Sequence, residues 1–250
     1  MYIDGIRVRG SSSLPASAIE QVDVVLGGVP AQYGDATGGI INVTTRGPSR
    51  VFGAGVELET SQFLDPFGYN RAGLNINGPL FSKKDENGKR TNSLIGFFVA
   101  GDFTYNKDGR PISSDIYKAQ DDYLAYLEQN PLRPTGLGYG TYANTDFTHM
   151  SDLEQIKTTQ NSSNYNVNVS GKIDIKTTET INLTLGGSYF LQKSNNYDYG
   201  NSMFNYDKNS VSDRNTWRVF GRFTQRFQSD PQSTSAVKNV YYSIQADYTK

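Results

Sequence analysis

The feature that most constrains this fold is a strict two-residue alternation of apolar and polar residues over most of the chain. Between Tyr165 and Ile175 every second residue is apolar, aromatic or glycine, and the residues between them are polar. Successive side chains of a β-strand point to opposite faces, so such a segment has one apolar face and one polar face. The same alternation recurs at 51–60, 69–78, 93–105, 181–191, 216–227 and 240–249. The sequence therefore predicts seven antiparallel strands and an all-β fold.

The connections between the predicted strands differ in length and polarity. Those at about 79–92, 177–180 and 228–239 are polar and turn-like, whereas 106–163 and 192–215 are long. The two long loops therefore lie on one side of the predicted sheet. In a transmembrane barrel this side is extracellular and the turn at 177–180 is periplasmic. Within the first long loop, apolar residues follow Ser114 as far as Leu127, which predicts a helix capped by Ser114 and ended at Asn130.

Two physical settings produce alternating strands: a soluble β-sandwich and a transmembrane β-barrel. Several of the segments reach the roughly 9 to 11 residues that a tilted strand needs to cross a bilayer. Aromatic residues also cluster near the strand ends, as they do at membrane interfaces. These residues are Phe103, Tyr105, Tyr165, Tyr189, Trp217, Tyr242 and Tyr248. Strand length and aromatic placement favour the barrel.

Composition excludes several functional classes. Lys and Arg (24) balance Asp and Glu (25), so the chain lacks the basic surface that nucleic-acid binding requires. It contains no cysteine and a single histidine, His149, which leaves no disulfide framework, cysteine-ligated zinc or histidine-rich metal site. The sequence therefore predicts no nucleic-acid partner, no cofactor and no metal site. No segment has the ~18 to 20 consecutive apolar residues of a membrane-spanning helix.

The first 47 residues follow a different pattern. An Asp4-Gly5 turn interrupts a β-rich segment from Tyr2 to Val8, a short helical segment is predicted from Pro15 to Glu20, and strands are predicted at 22–26 and 40–45. We expect Gly34, Gly38 and Gly39 to adopt positive φ and to allow close backbone approach. The predicted organisation is a small α+β unit over 1–47 and a β-sheet unit over 48–250.

The segment from Ile19 to Arg46 resembles the end of the plug domain of TonB-dependent outer-membrane receptors. The similarity lies in the strand Ile19–Val24, the glycine break, the Tyr33-Gly34 pair, Gly38-Gly39 and the closing strand Ile40–Thr45. The sequence from Gly28 to Gly39 most closely resembles that of Bacteroidetes receptors that carry a carboxypeptidase-regulatory-like N-terminal extension. It departs from the glycan-importing SusC-type pattern.

This resemblance implies a 22-stranded barrel that is filled by the plug. It implies active transport of a siderophore, glycan, peptide or other nutrient across the outer membrane, with the TonB–ExbB–ExbD complex and outer-membrane lipid as partners. The resemblance leaves open whether a surface lipoprotein is also a partner. We expect the chain to be a fragment that holds the plug end and about the first seven barrel strands, without the signal peptide and TonB box. The alternatives are a surface β-sandwich for adhesion or glycan binding and a passive porin.

Several residues are candidates for function, but none is a candidate for catalysis. Tyr197, Tyr199 and Tyr206 lie in a long loop and are candidate substrate-binding residues, because binding residues concentrate on such loops. Four charged residues are predicted to face the lumen: Glu57, Glu59, Arg218 and Arg222. An arginine that faces lipid at mid-bilayer costs about 2 to 4 kcal/mol, so we expect the arginines to point inward and meet acids such as the two glutamates. The chain is predicted not to be an enzyme.

Overall fold

The computed structural model describes residues 1–8, 14–28, 33, 38–47, 51–84, 90–227 and 240–250. The strands in chain order are β1 (Tyr2–Ile3), β2 (Ile6–Arg7), β3 (Ile19–Val25), β4 (Ile40–Thr45), β5 (Gly53–Thr60), β6 (Asn70–Lys84), β7 (Arg90–Asn106), β8 (Ile116–Ala119), β9 (Leu132–Pro134), β10 (Thr141–Ala143), β11 (Leu153–Ile156), β12 (Asn164–Lys176), β13 (Ile181–Asn195), β14 (Val211–Arg226) and β15 (Tyr241–Thr249). The α-helix α1 (Asp121–Gln129) lies in the loop between β7 and β12. Within the described ranges, no helix has the length and apolar character to span a membrane.

Seven strands form one antiparallel sheet in the order β15-β14-β13-β12-β7-β6-β5, which confirms the predicted number of strands and their pairing. Five of them, β6, β7, β12, β13 and β14, contain between 13 and 17 residues. These five are long enough to cross a bilayer at a tilt. In the described residues β5 and β15 are edge strands, so the sheet is open at both sides.

The sheet buries its polar face and exposes its apolar face. On β6, Asn75 and Asn77 are buried, whereas Leu74 and Ile76 are 48% and 40% exposed. Other exposed apolar residues of the same face are Val56, Leu58, Val99, Phe103, Val169, Ile173, Leu185, Val219 and Ile244. A soluble sandwich places such a face in its core, whereas a membrane barrel turns it to lipid. The arrangement is therefore that of a membrane barrel wall.

Aromatic side chains on the apolar face are brought together by the strand register. Tyr105 is the partner of Tyr165 between β7 and β12, and Tyr189 is the partner of Trp217 between β13 and β14. The rings of Trp217 and Tyr248 have centroids 5.3 Å apart. Neighbouring strands thus contribute paired aromatic residues, as expected where a barrel meets the polar layer of a membrane.

The N-terminal unit, as we call the described residues up to 47, has a four-stranded sheet of order β2-β1-β4-β3. Its small core contains Ile6, Ile40 and Val43, and the Tyr2 ring packs edge-on against the Tyr33 ring at 4.9 Å. The predicted strands are confirmed, but the predicted helical segment is only a 3₁₀ turn, Ala16–Ala18, preceded by Pro15.

The structure differs from the sequence predictions in the long loops. The predicted cap Ser114 lies outside the helix, because 116–119 form β8, which pairs with β11, and α1 begins after Gln120 without a side-chain cap. The predicted end at Asn130 is confirmed. The second loop is shorter than predicted, 196–210, since β13 and β14 continue their pairing to the partners Asn195 and Val211.

The glycine predictions are only partly correct. Gly38 and Gly39 do not have positive φ, and Gly34 lies outside the described residues. Close approach is what Gly39 requires, since a Cβ there would lie 2.8 Å from the carbonyl oxygen of Val25. Positive φ occurs instead at the Asp4-Gly5 turn, with φ of 51° and 77°.

We predict that Val169→Arg, on the apolar face in the middle of β12, lowers the free energy of unfolding by about 2 to 4 kcal/mol in a lipid bilayer. Thr177→Arg, at an exposed position in the turn directly after this strand, is the matched control, with an expected loss of less than about 1 kcal/mol. Denaturant titration of the folded protein in vesicles measures both changes. Equal effects at the two positions would show that the apolar face does not lie in lipid.

Candidate functional sites: the interface of the N-terminal unit and the loop cluster

The first contact between the N-terminal unit and the polar face of the sheet is built on a carboxylate. Glu57 accepts hydrogen bonds from the backbone N–H groups of Ala16 (3.2 Å) and Ser17 (2.6 Å). Asn75 on the neighbouring strand donates to the Ser17 hydroxyl at 2.5 Å. We call these residues the acidic contact. It fixes the 3₁₀ turn of the N-terminal unit to β5 and β6.

Arg71 holds the acids of this region together. Its guanidinium pairs with Asp102 at 2.7 Å and Glu59 at 2.9 Å, and lies 3.7 Å from Glu57. Asp102 is 3% exposed, so its pairing with Arg71 offsets the cost of burying a carboxylate on the sheet face.

Glycine on the strands allows the close approach at the acidic contact. A Cβ at Gly55 would lie 3.0 Å from the Ser17 Cβ, and one at Gly73 would lie 3.1 Å from the Pro15 Cβ. The alternating glycines of β5 and β6 therefore leave room for the chain of the N-terminal unit.

The second contact is made by the Asp4-Gly5 turn, and we call it the turn contact. The Asp4 carboxylate accepts from the Thr45 backbone N–H (2.9 Å) and hydroxyl (2.7 Å), and pairs with the Lys172 ammonium at 3.3 Å. Lys172 also donates to the Thr45 carbonyl at 3.2 Å. Arg222 donates to the carbonyl of Asp4. Residues of β12 and β14 thus hold a turn that is distant in sequence.

The charged residues predicted to face the lumen have different partners from those expected. Arg222 reaches the Asp4 turn, and Arg218 donates to the Thr249 hydroxyl at 3.0 Å. Neither arginine meets Glu57 or Glu59 in the described residues, so that expectation is wrong. Five strand spacings separate β14 from β5, which is about 24 Å and beyond the reach of an arginine. Arg71 is the arginine that pairs with the glutamates.

The loops 107–163 and 196–210 pack together at one end of the sheet, and we call them the loop cluster. The Ala119 backbone N–H donates to the Met203 carbonyl at 3.0 Å, and the Asn161 amide donates to the Tyr206 carbonyl at 2.9 Å. The Asn209 amide donates to the Asn161 carbonyl at 3.2 Å. The two long loops therefore form one hydrogen-bonded body.

Lys118 is a central cation of the loop cluster. Its ammonium lies 2.7 Å from Glu154, 3.0 Å from Asp121 and 6.0 Å from the centre of the Tyr206 ring. The hydrogen bond that Lys118 donates to Glu154, followed by the one it donates to Asp121, raises the pKa of Lys118 well above its ordinary value. Lys118 therefore stays protonated at any physiological pH and connects one loop to the other.

The three tyrosines proposed from the sequence lie on the second loop and differ in exposure. Tyr199 is 78% exposed, Tyr197 is half-buried, and Tyr206 is half-buried beside Lys118. The neighbouring acids have local roles. Asp198 accepts from the Gly200 N–H at 2.8 Å. In the residues described, no three His, Cys, Asp or Glu side chains are grouped as metal ligands.

Asp207 and Lys208 form an ion pair between neighbouring residues of the same loop. Their side chains pair at 2.8 Å, which lowers the pKa of Asp207 and raises that of Lys208. Both are fully exposed, so this neighbouring pair changes little in the fold.

Sequence reasoning missed an aromatic group on the hairpin β9–β10. The Arg133 guanidinium lies 4.1 Å from the centre of the Phe147 ring, and Tyr142 packs edge-on against the same ring at 6.1 Å. Tyr139 at the hairpin turn is 78% exposed. The aromatic residues between 139 and 147 can be recognised in the sequence, but the pairing of β9 with β10 cannot be predicted from them.

We predict that Lys118→Met lowers hydrogen-exchange protection of the Ala119 amide about two- to fivefold. The expected loss is about 0.5 to 1 kcal/mol, because Glu154 and Asp121 are both well exposed and their interaction is screened. Because the pKa of Lys118 is higher in the folded than in the unfolded state, its contribution to stability is fully present below the unfolded-state pKa. This contribution should therefore be constant up to about pH 10 and be lost only at higher pH. Lys208→Met is the control and should leave this amide unchanged.

No family model matches the chain. The probable TonB-dependent siderophore receptor PirA of Acinetobacter baumannii is 34% identical over 117 residues, which are 40% of this chain and 16% of that protein. The chain thus spans 16% of the length of this curated relative.

Two solved structures of Pseudomonas aeruginosa receptors are similar in fold. The ferric enterobactin receptor PfeA, in a substituted variant, matches with a TM-score of 0.53 and 15% identity over 99% of this chain and 32% of that chain. The ferripyoverdine receptor of the outer membrane matches with a TM-score of 0.48 and 15% identity over 90% of this chain and 25% of that chain.

The match to PfeA confirms the fold class, a mostly β structure similar to the barrels of TonB-dependent receptors. The sequence relative supports the TonB-dependent receptor family. The curated relative is named as a receptor, which is consistent with a role other than catalysis.

Proposed function

We propose that the chain is part of a TonB-dependent receptor that transports a siderophore across the bacterial outer membrane. Residues 1–47 are the end of the plug domain and 48–250 are the first seven strands of the barrel. The observation that carries this proposal is the inverted sheet, whose polar face is covered by the N-terminal unit and whose apolar face is exposed. A membrane barrel with a folded unit in its lumen requires both properties.

The substrate and the partners are inferred from the relatives and the resemblance. The curated relative is named as a siderophore receptor, which favours a siderophore over the other nutrients. The exposed aromatic residues of the loop cluster, such as Tyr139 and Tyr199, are suited to contact such a ligand from outside. The TonB–ExbB–ExbD complex is the proposed energy source, and lipid surrounds the barrel. The sequence from Gly28 to Gly39 favours a Bacteroidetes-type receptor.

The interface of the N-terminal unit has the chemistry of a reversible contact. Both the acidic contact and the turn contact consist of hydrogen bonds and ion pairs, several of them to backbone groups. Water can replace such partners when the unit is displaced, whereas an apolar interface would expose surface that water does not solvate. A force on the N-terminal unit can therefore open a path and allow it to return.

The adhesion or glycan-binding β-sandwich lacks support in the structure. A sandwich needs a second sheet over the apolar face of β12 and β13. In the part of the chain that the structure describes, this face is uncovered, with Val169 and Leu185 44% and 47% exposed.

A disulfide across the acidic contact tests whether transport requires the N-terminal unit to move. Ser17→Cys with Gly55→Cys places the two Cβ atoms about 3.0 Å apart, slightly closer than in ordinary disulfides, so a small shift completes the bond. Because this sequence has no other cysteine, the bond is unambiguous within it. We expect the oxidised variant of the complete receptor to bind ⁵⁵Fe-siderophore at the cell surface but to lose uptake, and a reductant to restore it.

The single variants Ser17→Cys and Gly55→Cys are the controls for this experiment. Each should transport with or without reductant, although Gly55→Cys must displace the Asn75 amide, which would lie 2.6 Å from its Cβ. Undiminished uptake by the fully oxidised double variant would contradict the proposed transport mechanism.

Orientation in the membrane is tested by labelling whole cells. Tyr199→Cys in the loop cluster should react with an impermeant maleimide, because we place the long loops outside the cell. Glu179→Cys in the turn between β12 and β13 should react only after the outer membrane is permeabilised. The reverse pattern would overturn the proposed topology.

A further inference from the structure

A cavity lies between the N-terminal unit and the polar face of β12, β13 and β14. The N-terminal unit contributes Ile6 and Leu14, and the sheet contributes Phe98, Phe190 and Phe220. About 80 Å³ of space inside it is accessible to water-sized molecules, and the cavity is open on one side. A cavity with mostly apolar walls and a few polar groups is the usual form of a small-molecule site.

The aromatic wall is built into the sheet. A Cβ at Gly186 would lie 2.5 Å from the Phe220 ring, so the absence of a side chain at this position gives the ring its space. Phe98 is 1% exposed and lies on the same polar face as Ala100 and Asp102. Large apolar rings on a polar face therefore mark this cavity as different from the rest of the interface.

Two cations line the cavity together with one carboxylate. The Lys172 ammonium is paired with Asp4, which also lines the cavity. Arg218 is 9% exposed, and its Nε donates to the Thr249 hydroxyl at 3.0 Å. Within the described ranges, Arg218 makes no ion pair, although Asp247 lies on the same face of the neighbouring strand. The cavity therefore has an excess of positive charge at Arg218.

A buried guanidinium without an anionic partner is costly, and a cation in such a place is stabilised by an oxyanion. Two strands away on the same face, the Ser170 hydroxyl of β12 is buried and has no hydrogen-bond partner among the described residues. Both groups line the cavity, and both can donate to the same type of acceptor. The donors therefore suit the acidic group of a ligand, and the aromatic wall suits its apolar body.

We propose that this cavity binds a small organic anion with an aromatic or apolar body. The acid group accepts from Arg218 and Ser170, and the body packs against Phe98, Phe190 and Phe220. The site lies at mid-height of the sheet, beneath the loop cluster, and is separate from the loop tyrosines. Its assignment concerns binding alone and does not depend on which substrate the receptor transports.

The test uses 4-iodobenzoate with the complete receptor in detergent. We expect one bound molecule, located by anomalous scattering of the iodine beside the three phenylalanines, and an affinity measurable by calorimetry. Neutral 4-iodobenzamide should bind at least about tenfold more weakly, because it cannot form the charged hydrogen bonds.

Arg218→Gln should weaken 4-iodobenzoate binding about ten- to a hundredfold, and Arg218→Lys should retain part of it. Arg226→Gln removes an exposed cation of the same strand and should change nothing. Ser170→Ala is a second, smaller variant that should weaken binding about two- to tenfold, and it serves if Arg218→Gln fails to fold.

Two results would overturn the proposal. One is equal binding of the benzoate to the wild type, Arg218→Gln and Ser170→Ala. The other is absence of binding in a receptor whose structure shows a carboxylate from outside this sequence paired with Arg218, since the anion would then be part of the protein. Either result leaves the disulfide experiment unaffected, because that experiment measures transport and not binding in this cavity.

Discussion

The rest of the structure depends on the burial of the polar face of the seven-stranded sheet by the N-terminal unit. In a soluble protein the apolar face would be covered and the polar face would be hydrated. Here Asn75, Asn77 and Asp102 are buried, and the residues between them on the opposite face are exposed. This inversion decides the medium, since an exposed band of Val, Leu, Ile and Phe is stable only against lipid. It also shapes the interface chemistry: the acidic contact and the turn contact are made by hydrogen bonds and ion pairs, beside a small apolar cluster of Ala18 with Phe98 and Ala100.

The alternation of the sequence was sufficient to predict the sheet. Because the side-chain period of a strand is two residues, the segments 165–175 and 181–191 define both faces and a hairpin without any knowledge of contacts. The partners across the interface could not be predicted in the same way. Lys172 and Asp4 are 168 residues apart, and neither carries a local signal for the other. The arginine at position 71 illustrates the same limit, since its register beside Glu59 and Asp102 follows from pairing with two different strands.

The loop cluster was the least predictable region for a related reason. A strand of four residues, such as β8, is too short to show periodicity, and its partner β11 is more than thirty residues away along the chain. The prediction of a helix capped by Ser114 failed because Ile116 and Tyr117 satisfied a helical pattern as well as a short strand. Tertiary pairing decided between the two conformations. Only the C-terminal end of α1, which Asn130 and the following proline fix locally, was predictable.

Charge at the acidic contact explains why the N-terminal unit settles on β5 and β6. Glu57, Glu59 and Asp102 surround a single arginine, so the sheet alone has more negative charge than Arg71 neutralises. The backbone N–H groups of Ala16 and Ser17 supply the missing donors to Glu57. Backbone donors carry no net charge, so they stabilise the carboxylate without a strong ion pair between the two units at this contact. At the turn contact the roles are reversed, because there the sheet supplies the cations and the N-terminal unit supplies the acceptors. Opposite polarity at the two contacts allows only one orientation of the N-terminal unit on the sheet. If the unit were rotated by half a turn, Asp4 would lie against the acidic residues of β5 and β7. Lys172 would then face the backbone N–H donors of Ala16 and Ser17.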